Sequence, residues 1–306
     1  MYAYLIRRIS GAVVVLLGIS IITFLLVYAV PADPARMIVG PKAPAAVVAA
    51  VRAQLGLNLP LPVQYIHYMD RLFHGDLGTS YIYSLPVAKM ILQRIGPTAW
   101  LALWCWVAEL VIGIPLGIYT ARHARHKRDY IVSAVALVGI SLPVFWLGLV
   151  LLYWFGFEIP ILPLGGSGGI QYVILPAITY GITGAAYYTR LLKSSMLEVM
   201  GQDYVRTARA KGASERRVTW RHVVRNALLP VVTFGGIDIG YLLTGVVLIE
   251  ATFNWNGLGM LAYTAIQNDD VPVIMGTVML IAVGVVLFTL LVDIIYAAID
   301  PRIRYE

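Results

Sequence analysis

Three acidic residues sit where water is scarce. Glu109, Asp238 and Asp293 each interrupt an otherwise apolar stretch of membrane-spanning length. A carboxylate in hydrocarbon costs at least roughly 2.5–3.5 kcal/mol, so such a group faces an aqueous cavity or finds a partner inside the protein. On the functional reading, Glu109 and Asp238 line a translocation path for a polar solute. On the structural reading, each is hydrogen-bonded between helices or faces a companion subunit. Asp293, close to the end of its span, fits the structural reading better.

Enzymatic chemistry finds little else to work with. The dipeptide Gly-Lys does not occur, so there is no phosphate-binding P-loop. His-Glu-x-x-His is absent and no nucleophile elbow is read. His67, His74, His123, His126 and His222 are scattered, and the i, i+3 pair His123/His126 lies in a basic loop whose charge is read as topogenic. Cys105 is the only cysteine, which excludes an internal disulfide and a cysteine-based metal cluster. The chain is therefore read as having no catalytic residue, no metal site and no cofactor of its own.

The elements that must hold these residues are membrane helices. Hydrophobic residues make up 59% of the 306, and charged residues only 13%, about half the usual share in a soluble domain. Six apolar windows are long enough to span: Ile9–Val30, Thr98–Thr120, Ile131–Phe155, Tyr172–Thr189, Ala227–Glu250 and Val273–Ala298. The first is too long for a cleaved signal segment and is read as a retained signal-anchor helix. Of the 23 Lys and Arg, 17 fall in segments 1–8, 121–130, 190–225 and 301–306, and none in 156–171 or 251–272. By the positive-inside rule both termini are expected to be cytoplasmic and segment 31–97 extracytoplasmic. The net charge of +7 is thereby explained without nucleic acid.

The expected organisation is an N-terminal transmembrane helix (1–30), an extracytoplasmic helical segment (31–97), a five-helix core (98–299) and a cytoplasmic tail (300–306). Short helices are expected at Pro44–Leu55, Pro62–His74 and Pro86–Ile95, the last closed by Gly96-Pro97. Pro115, Pro143, Pro176 and Pro230 are expected to kink their helices. Gly11, Gly18, Gly113, Gly117, Gly235, Gly236 and Gly240 are read as serving close helix packing. Trp100, Trp104 and Trp106 are read as an interfacial belt.

The basic segment 190–225 carries nine Lys and Arg. Within it a short helix is expected over Gln202–Lys211, stopped by Gly212 in the left-handed conformation, with Ser214 capping the next helix. Tyr204, Ala208 and Lys211 share one face by i, i+4, i+7 spacing, and small Ala208 and Ala210 leave room for a partner. A helix-Gly-helix of this kind suggests a docking site for a soluble protein, within about residues 200–214.

Here the sequence resembles a known family. Arg206-Thr-Ala208 followed by Gly212 stands where permeases of ATP-binding-cassette (ABC) importers carry a Glu-Ala-Ala motif and then Gly. The glutamate is absent, and the distance from Gly212 to Leu229-Pro230 is longer than in the general motif. Further matches run along the whole chain in order. They are Ala29-Val-Pro-Ala-Asp-Pro34, Leu55-Gly-Leu-Asn-Leu-Pro-Leu-Pro-Val-Gln-Tyr65, Gly75-Asp-Leu-Gly-Thr-Ser80, Gly113-Ile-Pro-Leu-Gly117, Trp255-Asn-Gly-Leu-Gly259 and Leu291–Tyr305. The resemblance is to the B-type permease of dipeptide/oligopeptide/nickel ABC importers. It implies an all-α membrane protein with six transmembrane helices, the type I importer permease fold. It implies partners: a homologous second permease, two ATP-binding subunits that hold ATP and Mg, and an extracytoplasmic substrate-binding protein, in a bacterial inner membrane. It implies ATPase coupling through Tyr204, Val205, Arg206, Thr207, Ala208, Arg209, Ala210, Lys211 and Gly212. It also implies an external gate or binding-protein contact at Phe253, Asn254, Trp255 and Gly257, where the plainer alternative is an interfacial loop anchored by Trp255. A different class of function, a self-sufficient ion- or proton-coupled carrier using Glu109, Asp238 and Asp293, predicts uptake by this chain alone. An intramembrane enzyme is a third reading that no motif supports.

Overall fold

The computed structural model describes residues 2–29, 34–40 and 42–299, without the side chains of 2–6, 28–29, 243–245 and 292–299. The expected tail 300–306 and the side chain of Asp293 lie outside the described residues. The described residues form helices and loops joined by a single isolated bridge, Thr79 to Pro86. They group into two compact units: the residues up to Thr98 together with those from Asn256 onward, and Ala99–Trp255.

In the first unit, α1 (Tyr2–Ala29) pairs with α14 (Val271–Ile299), and α13 (Leu258–Gln267) also packs on α14. The exposed aliphatic side chains of α1, such as Val14 and Leu26, are those of a helix solvated by lipid. Three short helices follow α1: α2 (Pro34–Val39), α3 (Ala45–Gln54) and α4 (Leu61–Phe73). The expected helices at 44–55 and 62–74 are thus present. Gly56 and Gly75 close α3 and α4 at φ +70° and +75°.

The expected short helix over Pro86–Ile95 is different. It does not stop at Gly96-Pro97 but forms the first part of α5 (Val87–Arg122), 36 residues long. Val87 and Ile91 are buried on one side of that dipeptide, Leu101 and Cys105 on the other. Burial at both ends outweighs the one hydrogen bond that Pro97 cannot donate, and long apolar helices accept such breaks.

The second unit is built on α8 (Ile170–Met200). It packs against α6 (Lys127–Ser141), α7 (Val144–Leu152) and α11 (Arg225–Gly245), while α12 (Val247–Thr252) packs on α7. Twelve α8 residues are buried, from Val173 to Met196, so the expected fourth span is surrounded largely by protein. At Gly113 on α5 an added Cβ would lie 2.7 Å from the Ala185 carbonyl oxygen, so there the α5 and α8 backbones touch. At Gly11 and Gly18, by contrast, an added Cβ would meet nothing within 4 Å among the described residues.

The expected third span is not straight. α6 and the α7 arm, which ends in a π-helical turn at Tyr153–Glu158, meet at 98°. Pro143 sets the corner, because it disfavours helical backbone at the residue before it, and Leu142 lies at φ −77°, ψ 131°. Among the described residues the helices long and apolar enough to cross a membrane cover Arg7–Val27, Val87–Arg122, Glu215–Leu242 and Val271–Leu291, and the bent pair adds a fifth where it is counted as one broken span. The expected fifth span, Ala227–Glu250, is divided between α11 and α12.

Candidate functional site

The basic segment folds as its turn residues dictate. α9 (Asp203–Ala210) is eight residues long, and Gly212 follows at φ +79°. Nothing stands within 4 Å of a Cβ built at Gly212, so glycine is favoured there by backbone conformation alone. Ser214 Oγ accepts a hydrogen bond from the Arg217 amide and caps α10 (Glu215–Arg217). α10 runs through a π-helical turn, Val218–Val224, directly into α11. Arg209 grips Glu215 with two hydrogen bonds, Nε at 2.8 Å and Nη2 at 3.4 Å, which ties α9 to α10 across the glycine turn.

A helix of eight residues does not hold its shape alone in water. Val205 anchors α9. It is fully buried in an apolar cluster with Leu192 and Met196 of α8 and Val218, Val223 and Val224 beyond the turn, and half-buried Ala208 packs on the same cluster. This corrects the expected face. Ala208 points with Val205 into the protein, while Tyr204, Arg206, Thr207, Arg209, Ala210 and Lys211 are exposed. The apolar i, i+3 pair Val205/Ala208 was the signal that separates the anchoring face from the free one. The Tyr204 hydroxyl accepts from Asn226 Nδ2 at 3.2 Å, which fixes that ring at the rim of the exposed face. A second tie lies further along α8. Lys193 Nζ is 2.5 Å from Asp129 Oδ1, and Asp129 also accepts from the Arg125 amide and from Ser133 Oγ.

Two of the acids of the apolar spans, Glu109 and Asp238, lie inside the second unit. Asp238 on α11 accepts from the Tyr188 hydroxyl at 2.6 Å, and that hydroxyl accepts from Trp106 Nε1 at 3.1 Å. Trp106 therefore leaves the expected aromatic belt, since it stands two positions and about 200° round the helix from Trp104. Trp100 and Trp104 stay together as an edge-to-face pair, 5.6 Å between centroids. Glu109 is 2% exposed and occupies the space that a side chain at Gly184 would fill. It faces the packed interior, whereas Asp238 keeps partial exposure.

The turn after α12 is also more buried than its composition suggests. Phe253 and Trp255 are each 2% exposed and belong to the apolar core with Leu101, Cys105 and Ile249. Asn254, at φ +49°, and Asn256 face outward there, and Gly257 is the N-cap of α13. The Phe253 carbonyl accepts from the Gly166 amide at 2.9 Å. Gly165–Gly169 does spell Gly-x-Ser-x-Gly, against the sequence reading, but no strand precedes it, Gly165, Gly166 and Gly168 take positive φ, and Gly165 lies close against Phe253. It lacks the strand–turn–helix that makes such a serine a nucleophile. Cys105 is fully buried, its Sγ 4.0 Å from the Pro176 carbonyl oxygen. Among the described residues no three His, Cys, Asp or Glu converge as metal ligands.

Comparison with known proteins accounts for both ends of the chain. The family described as "Binding-prot-dependent transport system membrane comp, N-term" matches residues 1–102, and "Binding-protein-dependent transport system inner membrane component" matches 113–305. The glutathione transport system permease protein GsiC of Escherichia coli (strain K12) is 41% identical over 306 residues, covering all of both chains. The GsiC of Salmonella typhimurium (strain LT2) matches equally, again 41% over 306 residues. Among solved structures, an inward-facing form of the MetNI methionine ABC transporter superposes with a TM-score of 0.59 at 19% identity, over 69% of this chain and 96% of that one. An amino acid ABC transporter solved with histidines gives 0.51 at 11% identity, over 68% and 92%. These last two bear on the fold, which is that of the type I importer permeases. The chain therefore belongs to the inner-membrane components of binding-protein-dependent transport systems and is a permease subunit of an ABC importer.

Proposed function

We propose that this permease serves an ATP-driven importer of short peptides. The observation that carries the reading is the end-to-end 41% identity with a permease of a glutathione transport system, glutathione being a tripeptide. The chain forms the translocation pathway with a homologous second permease. Two ATP-binding subunits hold ATP and Mg and perform hydrolysis, and an extracytoplasmic binding protein delivers the solute. The exposed face of α9, from Tyr204 to Lys211, seats on an ATPase subunit. Its anchoring by Val205 and by the Arg209–Glu215 pair supports this, because a force applied to α9 passes directly into α8 and α11. Asp238, partly exposed and held by Tyr188, is the acid that borders the pathway. Glu109 serves packing, and at the 253 turn Asn254 and Asn256 are the residues available to an external partner.

The decisive experiment is uptake of tri-alanine into proteoliposomes that hold both permeases and the two ATPases. Uptake is expected to require ATP and the binding protein. Uptake by this chain alone under a proton gradient would instead establish the self-sufficient carrier. In the complete system Gly212→Val is expected to leave membrane insertion intact. A β-branched residue at φ +79° costs about 1–2 kcal/mol, so the α9 turn is lost and ATP-driven uptake falls about tenfold. Wild-type uptake in Gly212→Val would remove α9 from the coupling path.

Orientation follows the basic segments, with both termini in the cytoplasm. Reporter fusions at Asp76, Gly166 and Asp269 are expected to read as external. Those at Arg125, Glu215 and the C-terminus should read as cytoplasmic. An external reading at Glu215 would place α9 out of reach of any ATPase.

A further inference from the structure

The first unit contains a cavity of about 480 Å3, within the usual range for small-molecule sites. One wall is the face of α4 that carries Tyr68 and Arg71. The segment Asp76–Tyr81 also lines it, and Phe24, Leu57 and Met275 supply an apolar lining. Nothing in the transport reading uses it.

Among its polar lining groups, Tyr68 lacks a hydrogen-bond partner for its hydroxyl, and Arg71 and Asp76 lack an ion-pair partner among the described residues. The Tyr68 hydroxyl is buried and has no hydrogen-bond partner. Burial first, and the neighbouring Tyr65 second, push its pKa up to about 12, although the Arg71 charge works against the shift. It is therefore a proton donor throughout the physiological range. A buried hydroxyl without a partner costs about 1–3 kcal/mol, so its retention calls for an acceptor. The exposed guanidinium of Arg71 makes no ion pair or hydrogen bond among the described residues. Asp76 uses Oδ1 to accept from the Gly78 amide at 2.8 Å and makes no ion pair either. The two charges are close in the chain, and the Asp76 amide donates to the Arg71 carbonyl at 2.9 Å. Yet the two side chains form no ion pair with each other, and Gly75 between them takes φ +75°.

An unpaired cation with a hydroxyl donor beside it, an unpaired carboxylate and an apolar lining are complementary to one kind of ligand. A simple anion would meet Asp76, a simple cation would meet Arg71, and a neutral sugar would leave both charges unused. We propose that this cavity binds a small zwitterion, its anionic oxygens against Arg71 and Tyr68 and its ammonium against Asp76. Two sources offer that chemistry. One is a short peptide with free termini, which rests on the peptide reading above. The other is the headgroup of phosphatidylethanolamine, because Phe24 and Met275 lie near the ends of two helices of membrane-spanning length.

The test uses the assembled permease–ATPase complex, without binding protein, in nanodiscs of phosphatidylglycerol, which presents no ammonium. Tri-alanine binding is followed by calorimetry, and lipids that co-purify with the complex are identified by mass spectrometry. If a peptide is the ligand, tri-alanine binds saturably. Affinity then falls about tenfold or more on C-terminal amidation or Arg71→Ala, and likewise on N-acetylation or Asp76→Asn, as expected for loss of a charge-assisted hydrogen bond. Tyr68→Phe, which removes only the hydroxyl, should weaken binding without altering assembly. If the lipid is the ligand, phosphatidylethanolamine co-purifies with the wild type and is depleted in Arg71→Ala, and tri-alanine does not bind. Absence of both zwitterions, or binding unchanged by Arg71→Ala and Asp76→Asn in correctly assembled complexes, overturns the proposal. ATP-driven uptake of tri-alanine by the same wild-type complex, once binding protein is added, separates failure of this site from failure of the importer reading.

Discussion

Gly184→Ala is expected to destabilise the folded chain by about 2–3 kcal/mol, and Glu109→Ala in the same chain to return most of that loss. A Cβ at Gly184 would stand 1.6 Å from Glu109 Oε1 and 2.4 Å from Cδ. The end of a glutamate side chain normally swings aside at little cost. Here it is 2% exposed, with α5 and α8 in backbone contact close by at Gly113, so there is nowhere to swing. The helices must separate, which loses contacts along their whole seam. Truncating Glu109 removes the obstacle, and with it a buried carboxylate oxygen that has no hydrogen-bond partner. Thermal unfolding of the detergent-purified single and double variants gives the coupling energy. A strictly additive pair would show that the two residues do not compete for one space.

Asp129→Ala is expected to cost about 2–3 kcal/mol and to lower ATP-driven uptake with it. Removing one partner of a buried ion pair is usually worse, at about 3–5 kcal/mol, but Lys193 keeps 24% of its side chain exposed and water recovers part of the loss. The carboxylate holds three groups together: the Lys193 ammonium, the Arg125 amide and the Ser133 hydroxyl. Arg125 sits at φ +68°, a strained conformation for a side chain of that size, so the turn before α6 depends on its partner. Because Lys193 lies on α8 beside Leu192 and Met196, which pack in the Val205 cluster, loosening this tie also loosens the route by which α9 is anchored. The double variant Asp129→Leu/Lys193→Met is expected to recover stability, since no charge is then left unpaired. Equal instability in the single and double variants would assign the effect to packing.

The sequence disclosed what depends on neighbours in the chain. Gly212, Ser214 and the closing glycines of α3 and α4 act through backbone conformation and capping, which are local and hence readable. Pro143 was readable as a break, but the size of the corner depends on what each arm packs against. The continuity of α5 was hidden because Gly96-Pro97 is a genuine stop signal, overridden by burial of Val87 and Ile91 before it and Leu101 and Cys105 after it. The pairs that hold the second unit together could not be read at all. Glu109 with Gly184 and Asp129 with Lys193 join residues far apart in sequence, and no periodicity connects them. Trp106 and Ala208 are intermediate cases. Helical spacing alone would have set Trp106 apart from Trp104, and Ala208 beside Val205. Phe253 and Trp255 read as surface aromatics because the residues around them are polar and glycine-rich. In the structure those neighbours form the turn, and the rings fill the core.

The burial of Cys105 has a practical side. As the sole thiol, fully enclosed beside Pro176, it is shielded from maleimides and other polar alkylating reagents. Fluorophores or spin probes attached at newly introduced cysteines, for instance at Lys211 and Tyr83, would therefore report from a single chosen position with the native residue left in place. Distance measurements across a turnover cycle then become possible on an otherwise unaltered chain.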